Sequence, residues 1–379
     1  MPRVTIINQS ALDTDSTATA KVRRYFSLDV LRGLTLFFMC LVNNPGSWAH
    51  LFPPLAHAEW DGLTPTDLVF PFFLFSMGFA LAIVTSRSKP LLFSKVLRRS
   101  LLLILFGLIP NFYSRLLYHP DDIFSTMRFA GVLQRIGLCY FAIASLNVLL
   151  PNQPIAQSIF VITLSLIYLS FMLFFPVPNC ETGDLSPHCN FGGYFDQSIW
   201  GTEHNWRQGS YDPEGLFTTL SSISTPFLGY LLGFFVLKSK SNSKSVLIFS
   251  FICLFSGLLF SFVIPINKAL WTPSYSLVCS GIAGFVFYLL YYLIDIYEIK
   301  KPFFIFKVMG SNSLVIFVGS SMLTITLGFL GLYAAPFKFL SGTIGLCPKM
   351  ASMFGGLLHS FFWFLVTFIL YKMKIFVKL

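Results

Sequence analysis

The chain has 379 residues, of which 55% are hydrophobic and only 11% charged, and its mean hydropathy is +0.72. This apolar surface exceeds what one soluble core can bury, so the composition excludes an ordinary soluble globular domain and predicts a polytopic membrane protein. The formal net charge of +10 is concentrated on one side of the predicted topology and gives no support for nucleic-acid binding.

The first 24 residues are polar and end in "KVRR" without an apolar h-region. We expect them to form a mobile cytoplasmic tail rather than a signal peptide, and residues 25–379 to form the transmembrane domain.

About 20 apolar residues are needed to cross a bilayer core of about 30 Å. Ten such runs indicate an all-α polytopic membrane protein with about ten transmembrane helices. They lie at 27–44, 66–86, 95–113, 129–149, 154–176, 217–237, 245–263, 274–295, 311–332 and 351–371. The stretch "PFFIF" at 302–306 could open a further half-helix.

The distribution of the 26 Lys and Arg residues sets the expected orientation. Most fall in alternate connections, including "RSK" at 87–89, "KVLRR" at 95–99, "KSKSNSK" at 238–244 and "KKPFFIFK" at 300–307, which places these segments and the amino terminus in the cytoplasm. The two substantial loops, 45–65 and 177–216, then lie on the outer side with most acidic residues. We expect chemistry to face outward.

The longer outer loop contains Cys180 and Cys189, nine positions apart. An oxidising outer compartment would permit a disulfide between them, two free thiols are the alternative, and a zinc site that includes His188 is a weaker one.

Charged residues within predicted spans are functional candidates because burying a charge in a membrane is costly. Asp29 and Arg32 can pair on one helix face, where the alternative role is an anchor for helix depth. Arg135, next to Gln134, sits deeper and needs an anion, either a protein carboxylate or a ligand phosphate. The inner-rim residues Arg98 and Arg99 suit phosphates equally well, although a basic rim is also the usual topology signal.

At the outer end of the first predicted helix, Asn43 and Asn44 precede a loop that contains His57 and Glu59 and returns to the membrane at Asp67. Histidine exchanges protons near neutral pH and can act as a base or nucleophile. An asparagine amide can stabilise an oxyanion, and either carboxylate can orient the imidazole. The alternatives are a structural loop histidine and, for Asp67 in "TPTDLVF", a helix N-cap.

Six ordered motifs carry a family resemblance that extends from about residue 25 to the carboxyl terminus. They are "FSLDVLRGLTLFFMCLVNNPGSW", "LAHAEWDGLTPTDLVFPFFLFSMG", "GVLQRIGLCYF", "YDPEGLFTTLSSISTPFLGYLLG", "PINKALWTPSYSLVCSG" and "VMGSNSLVIFV". Together they resemble the heparan-alpha-glucosaminide N-acetyltransferase family, including its compact bacterial members. The resemblance implies a transmembrane acyltransferase fold that moves an acetyl group from cytoplasmic acetyl-CoA to a glucosamine amine across the membrane.

The family's active histidine matches His57 in "HAEWDGLT", and its helix-one asparagine matches Asn43 in "LVNN". The inserted "NPGSW" segment leaves Asn44 open as the functional amide. The resemblance also implies an integral protein of a bacterial inner membrane. Because the large lumenal domain of the animal enzymes is not expected here, the expected acceptor is glucosamine or a short amino-sugar saccharide.

The resulting hypothesis assigns catalysis to His57, Asn43 and Asp67, with no metal. His57 either deprotonates the sugar ammonium or takes the acetyl group itself. The expected acetyl-CoA contacts are Arg32, Arg98, Arg99, Gln134 and Arg135. The expected sugar contacts are Glu59, Trp60, Asp212, Glu214, Lys268 and Trp271.

Some of these sugar contacts have alternative roles. Asp212 and Glu214 in "DPEG" equally suit a turn and a helix start. Lys268 and Trp271 equally suit interfacial anchoring.

Two other classes of function remain open from the residues alone. An amino-sugar transporter with a His57 proton relay would also place charges at an outer mouth. A membrane O-acyltransferase of an envelope glycan would keep the chemistry and change the acceptor. The expected partners are the lipid bilayer and the saccharide. The resemblance and the exposed aromatic helices also favour a homodimer.

Overall fold

The structure is a computed structural model that describes residues 25–86, 90–238 and 243–377. The expected cytoplasmic tail at 1–24, the basic "RSK" cluster at 87–89 and most of the "KSKSNSK" turn lie outside the described residues.

The described residues are helical apart from loops and one isolated antiparallel bridge between Asp61 and Asn267. The main helices are α1 (Phe26–Asn43), α2 (Val69–Thr85), α3 (Phe93–Tyr118), α4 (Val132–Leu149), α5 (Pro154–Phe174), α6 (Phe191–Trp200), α7 (Leu216–Ser222), α8 (Ser224–Lys238), α9 (Ser243–Phe260), α10 (Pro273–Leu290), α11 (Phe304–Ser311), α12 (Ser313–Phe329) and α13 (Pro348–Lys372). Short helical turns lie at Pro53–Leu55, Pro65–Leu68, Pro120–Asp122, Ile123–Thr126, Thr202–His204, Trp206–Gln208, Tyr291–Ile296, Lys301–Phe303, Ala335–Lys338 and Phe339–Thr343.

Within the described ranges, 8 helices are long and apolar enough to cross a bilayer, which confirms the all-α polytopic membrane class. The number of ten spans was approximate. The predicted span 311–332 belongs to a pair, Lys301–Ser311 and Ser313–Phe329, bent by 74° at its break, and counting that pair as one span gives 9. The predicted span 245–263 is a shorter apolar helix, Lys244–Phe260.

The chain divides into two compact units, and the described residues of the first are 25–52 and 286–377. In this unit the start of α1 is capped from a distance, because both carboxylate oxygens of Asp295 accept hydrogen bonds, from the backbone N–H of Phe26 and of Ser27 at 3.1 Å. Further along, α1 packs directly on α11, where a Cβ added to Gly33 would overlap the carbonyl of Phe306. Small residues permit this close approach of helix backbones, as is common in membranes.

The second unit, Pro53–Phe285, contains the long segment between α5 and α7. Its helix pair α2 and α8 also packs through small residues, since a Cβ on Gly78 would overlap the carbonyl of Pro226. In this segment, Cys180 and Cys189 form a disulfide, the first of the two predicted alternatives. The next helix, α6, was not predicted, and its N-cap Asn190 accepts a hydrogen bond from Gly193 N at 2.7 Å.

Candidate active site

Asp67 lies at the start of the α2 span, in the helical turn Pro65–Leu68. Its Oδ2 accepts hydrogen bonds from the backbone N–H of Thr64 at 3.1 Å and from the Thr64 hydroxyl at 2.9 Å, which makes the predicted N-cap region a capping box. The same oxygen accepts from Ala58 N at 3.1 Å. The sequence "TPTD" therefore places a buried carboxylate at one position and ties the preceding loop to it.

His57 lies directly against the other oxygen of this carboxylate, with Nδ1 2.6 Å from Asp67 Oδ1. The Asp67 side chain is only 1% exposed, whereas 41% of the His57 side chain is exposed. The arrangement is a buried acid that holds a reachable imidazole, the relation that orients the base in catalytic triads.

Lys268 is the third member of this cluster. Its Nζ donates to Asp67 Oδ1 at 3.2 Å and lies 3.0 Å from His57 Nδ1. Two of the three predicted catalytic residues are thus joined to a residue that the sequence had suggested as a sugar contact.

A small polar turn fixes the position of Lys268. The buried Asn267 donates through its side-chain amide to Asp61 Oδ1 at 3.0 Å, and Gly62 N donates to Ile266 O at 2.7 Å. The Asn267 Oδ1 also accepts from Leu270 N at 2.8 Å. These bonds join the turn that carries Lys268 to the loop that carries His57.

The partners around Nδ1 determine the tautomer. An ionised Asp67 accepts only, so a 2.6 Å contact requires a proton on His57 Nδ1. An Nδ1–H cannot accept from the Lys268 ammonium, and Lys268 therefore directs its hydrogen bond to Asp67. In the neutral ring the free lone pair is then on Nε2, which is the atom available for base or nucleophile chemistry.

The two aromatic residues predicted to contact sugar have different surroundings. Trp60 is partly buried, donates from Nε1 to Leu185 O at 3.1 Å, and packs edge-on against Tyr211 with ring centroids 4.9 Å apart. Trp271 is only 1% exposed and donates from Nε1 to Thr225 Oγ1 at 3.0 Å. Its side chain therefore bonds the turn that carries Lys268 to α8. Glu59, two positions after His57 in the chain, is exposed.

Asp212 and Glu214 form an ion-pair cluster with Arg128, a residue that sequence reasoning did not select. Arg128 donates from Nε to Asp212 Oδ2 at 2.7 Å and from Nη2 to Asp212 Oδ1 and Glu214 Oε2, both at 2.5 Å. Each Asp212 oxygen also accepts a backbone N–H, from Trp206 or from Glu214, at 2.9 Å. This geometry favours the turn role for Asp212.

Electrostatics agree with a stable cluster at these three residues. Burial alone would lower the pKa of the Arg128 guanidinium, but its hydrogen bond to Asp212 and the charge of Glu214 outweigh burial, and the pKa rises. Burial would raise the pKa of Glu214, but the charge of Arg128 outweighs it and the pKa is lowered. Arg128 and Glu214 are therefore held in their charged forms.

The residues predicted to contact acetyl-CoA separate by exposure. Arg98 and Arg99 are exposed near the start of α3, with the Arg99 guanidinium 4.6 Å from the centroid of the Tyr140 ring. Arg135 is fully buried and donates from Nη2 to Gly215 O at 3.0 Å and to Thr218 Oγ1. The buried Gln134 donates to Phe129 O at 3.2 Å.

Arg32 lies in the first unit, where its Nη1 is 4.0 Å from Asp29 Oδ1, as the i, i+3 spacing predicts.

The asparagines at the end of α1 belong to the first unit. Asn43 is exposed. Asn44 is buried, donates to Cys40 O at 2.9 Å and to Ser320 Oγ at 3.4 Å, and accepts from Thr324 Oγ1. Of the two amides, Asn43 has the side chain that is not committed to buried hydrogen bonds.

Residues 24–184 match the family described as "Heparan-alpha-glucosaminide N-acetyltransferase, catalytic". The chain is 30% identical over 432 residues to the Heparan-alpha-glucosaminide N-acetyltransferase of Mus musculus, covering 96% of this chain and 62% of that protein. It is also 30% identical over 418 residues to the protein of the same name from Homo sapiens, covering 94% of this chain and 60% of that protein. The chain thus spans somewhat under two thirds of the length of these relatives.

Proposed function

Because the chain belongs to the heparan-alpha-glucosaminide N-acetyltransferase family, we propose that it is a membrane acetyltransferase that uses acetyl-CoA as donor and the amine of a glucosamine-type sugar as acceptor. The observation that carries the proposal is the half-exposed His57 held at 2.6 Å by the buried carboxylate of Asp67. Such a pair supplies a base or nucleophile whose orientation is fixed before substrate arrives.

The reaction requires an unprotonated amine and an activated acetyl carbon. In a ternary complex, His57 Nε2 removes a proton from the sugar ammonium, and the amine attacks the thioester carbonyl carbon. The C–S bond then breaks, the second proton leaves the nitrogen for the departing CoA thiolate to give the amide and the CoA thiol, and the imidazolium releases its proton to solvent. Alternatively Nε2 attacks the thioester first, CoA leaves, and the amine then displaces imidazole from the acetyl carbon. Both routes use the same Nε2 lone pair, and in both Asp67 stabilises the cationic ring through Nδ1–H.

Other residues are proposed in supporting roles. The exposed Asn43 amide is the proposed donor to the oxyanion that forms when the carbonyl is attacked. Arg98 and Arg99 are the proposed contacts for the phosphates of CoA, because they are exposed guanidinium groups close together on one helix. Glu59 and Trp60, which follow His57 in the same loop, are the proposed acceptor contacts.

We further propose that the donor arrives from the cytoplasm and the acceptor from the outer side, with the amino terminus in the cytoplasm of a bacterial inner membrane. The support is the bias of Lys and Arg toward one set of connections in the sequence. In sealed proteoliposomes of known orientation, acetyl-CoA and glucosamine should react only when supplied from opposite sides.

The decisive experiment measures free thiol release from acetyl-CoA by purified protein in detergent, over a panel of amino sugars. We expect glucosamine-dependent CoA release and an amide product, both abolished in His57→Ala while the protein still folds and binds CoA. His57→Ala turnover close to that of the parent would remove His57 from this role.

The same assay separates the other classes of function. A transporter has no sealed compartment in detergent and would not consume acetyl-CoA. An O-acyltransferase would yield an ester, which the mass and linkage of the product distinguish from an amide.

A further inference from the structure

We propose that Lys268 is a positioning residue that balances the charge of Asp67 beside His57 and keeps the imidazole in its neutral, reactive form. This inference rests on the proposed function for its catalytic meaning, and it replaces the role of sugar contact that the sequence suggested for Lys268.

The contacts of Lys268 point inward, toward the imidazole and the carboxylate. Its Nζ lies 3.0 Å from His57 Nδ1 and 3.2 Å from Asp67 Oδ1, and its side chain is only 23% exposed. The backbone on both sides is held, since Trp271 N donates to Lys268 O at 3.1 Å and the adjacent Asn267 is buried. A lysine that served mainly to bind a soluble sugar would not need its ammonium at both groups of a His–Asp pair.

The electrostatic effect has a definite sign. A carboxylate against Nδ1–H stabilises the imidazolium relative to the neutral ring. A cation 3.0 Å from the same nitrogen opposes this, because two positive charges would then be adjacent. Lys268 therefore favours the neutral ring, in which Nε2 has a lone pair.

Asp67 and Lys268 are the two charged side chains placed directly at His57 Nδ1. Other charged and titratable groups lie on the elements packed around them. The His57 loop contributes Asp67, together with Asp61, which is bonded to Asn267, and the exposed Glu59. The turn contributes Lys268. The helix behind Asp67 contributes Tyr275, whose hydroxyl donates to Asp67 O at 2.7 Å, and the fully buried Cys279. Glu214, in its ion pair with Arg128, also interacts electrostatically with Lys268.

The test measures His57 directly and without substrates. Purified protein in detergent is treated with diethyl pyrocarbonate across a pH series, and the carbethoxylation rate of the His57 peptide is followed by mass spectrometry. This reagent attacks the neutral imidazole, so the midpoint of the rate profile reports where the ring loses its proton. The variants are Lys268→Met, which removes the charge, and Lys268→Arg, which keeps it. The matched control is Lys95→Met, which removes the same charge from an exposed position at the start of α3.

We expect the midpoint in Lys268→Met to move upward by about one pH unit or more, which is the usual effect of a close charge. Lys268→Arg and Lys95→Met should keep the parental midpoint. Lys268→Gln retains a donor toward Asp67 without the charge, should show the same upward shift, and stands in if Lys268→Met does not fold. An unchanged midpoint in both uncharged variants would overturn the proposal.

A second readout separates this inference from the proposed function. In the CoA-release assay, the acid limb of the kcat profile should move upward with the labelling midpoint, while KM for glucosamine changes by less than about threefold. A large KM increase with an unmoved acid limb would instead return Lys268 to the role of sugar contact. If the parent does not turn over acetyl-CoA, the proposed function fails, yet the labelling experiment still decides the relation between Lys268 and His57.

Discussion

The substitution Asp67→Asn tests the tautomer argument most directly. Asp67 Oδ2 accepts three hydrogen bonds from the loop, two from Thr64 and one from Ala58. The amide oxygen of asparagine can replace Oδ2 in all three, which leaves its NH2 group at the position of Oδ1. There the NH2 group faces His57 Nδ1 and the Lys268 ammonium. Nδ1 must then accept rather than donate, so the proton moves to Nε2 and the reactive lone pair is lost.

The size of the effect follows from what is removed. General-base chemistry contributes typically ~10²- to 10⁴-fold, and a wrong histidine tautomer in a serine-protease triad costs about 10⁴-fold. We therefore expect kcat to fall by about 10²- to 10⁴-fold, equivalent to ~3 to 5 kcal/mol of transition-state stabilisation. Two charge-assisted contacts to the buried group are also lost, which should lower the free energy of unfolding by roughly 2 to 4 kcal/mol.

The assay is CoA release by purified protein in detergent, with a thermal melt of the same sample to show that the variant is folded. The matched control is Asp61→Asn in the same loop, because an amide oxygen can still accept the Asn267 hydrogen bond while the charge change is identical. Asp61→Asn should retain most of the activity. Folded Asp67→Asn with kcat within tenfold of the parent would refute the tautomer argument.

Three further outcomes can be checked with the same protein. Asn43→Ala should lower kcat by about 10²- to 10³-fold with little change in melting temperature, whereas Asn44→Ala should mainly lower stability, by roughly 1 to 3 kcal/mol, because its amide bonds are buried; the reverse pattern would exchange the two roles. Replacing both Cys180 and Cys189 by serine opens the loop that contains the Trp60 acceptor Leu185 and should cost about 2 to 3 kcal/mol, while Cys347→Ser, at an exposed free cysteine, should have no effect. Burial raises the pKa of Asp196 to about 7, although hydrogen bonds from Phe217 N and Leu216 N oppose it, so its contribution to stability is present at low pH and is lost as the pH rises through 7; between pH 5 and 8 the loss should be about 2 to 3 kcal/mol in melts of the parent and should be absent in Asp196→Asn.

The membrane helices could be located from the sequence because the bilayer imposes one strong rule, a run of about 20 apolar residues. The sequence also suggested a half-helix at 302–306 before the span 311–332, and α11 and α12 lie there. The bend of 74° at this break could not be predicted, since both halves are apolar and only Asn312 lies between them. Helix α6 was missed for the opposite reason. Its ten residues, Phe191–Trp200, are too short for a span and lie in a loop rich in Gly and Asp. The capping Asn190 three residues before Gly193 was the available signal.

The site shows a similar division. The sequence offered two roles for Asp67, a helix N-cap and a carboxylate that orients His57. In the structure the N-cap is Thr64, Asp67 completes the capping box from the third helical position, and its other oxygen lies 2.6 Å from His57 Nδ1. The contact with Lys268 spans 201 residues of chain, and no local pattern encodes it. Arg128 was overlooked because it lies in a connection rather than in a span, although its acidic partners were both noted.

Arg135 is buried, whereas Arg98 and Arg99 are exposed. From the sequence, all three were expected to contact acetyl-CoA. Arg135 was expected to need an anion, and the structure surrounds it with neutral acceptors and a Trp271 ring centroid 5.1 Å from its guanidinium carbon. The charges of Glu214, Asp212 and Asp196 compensate the Arg135 guanidinium at longer range. A phosphate would have to displace packed side chains to reach Arg135, at a high cost in desolvation. Arg98 and Arg99 need no such rearrangement, because both are exposed at the first turns of α3. The physical distinction is therefore access to solvent. It supports the proposal that Arg98 and Arg99 contact the CoA phosphates, and it favours a structural role for Arg135 beneath the Trp271 ring of the turn that carries Lys268.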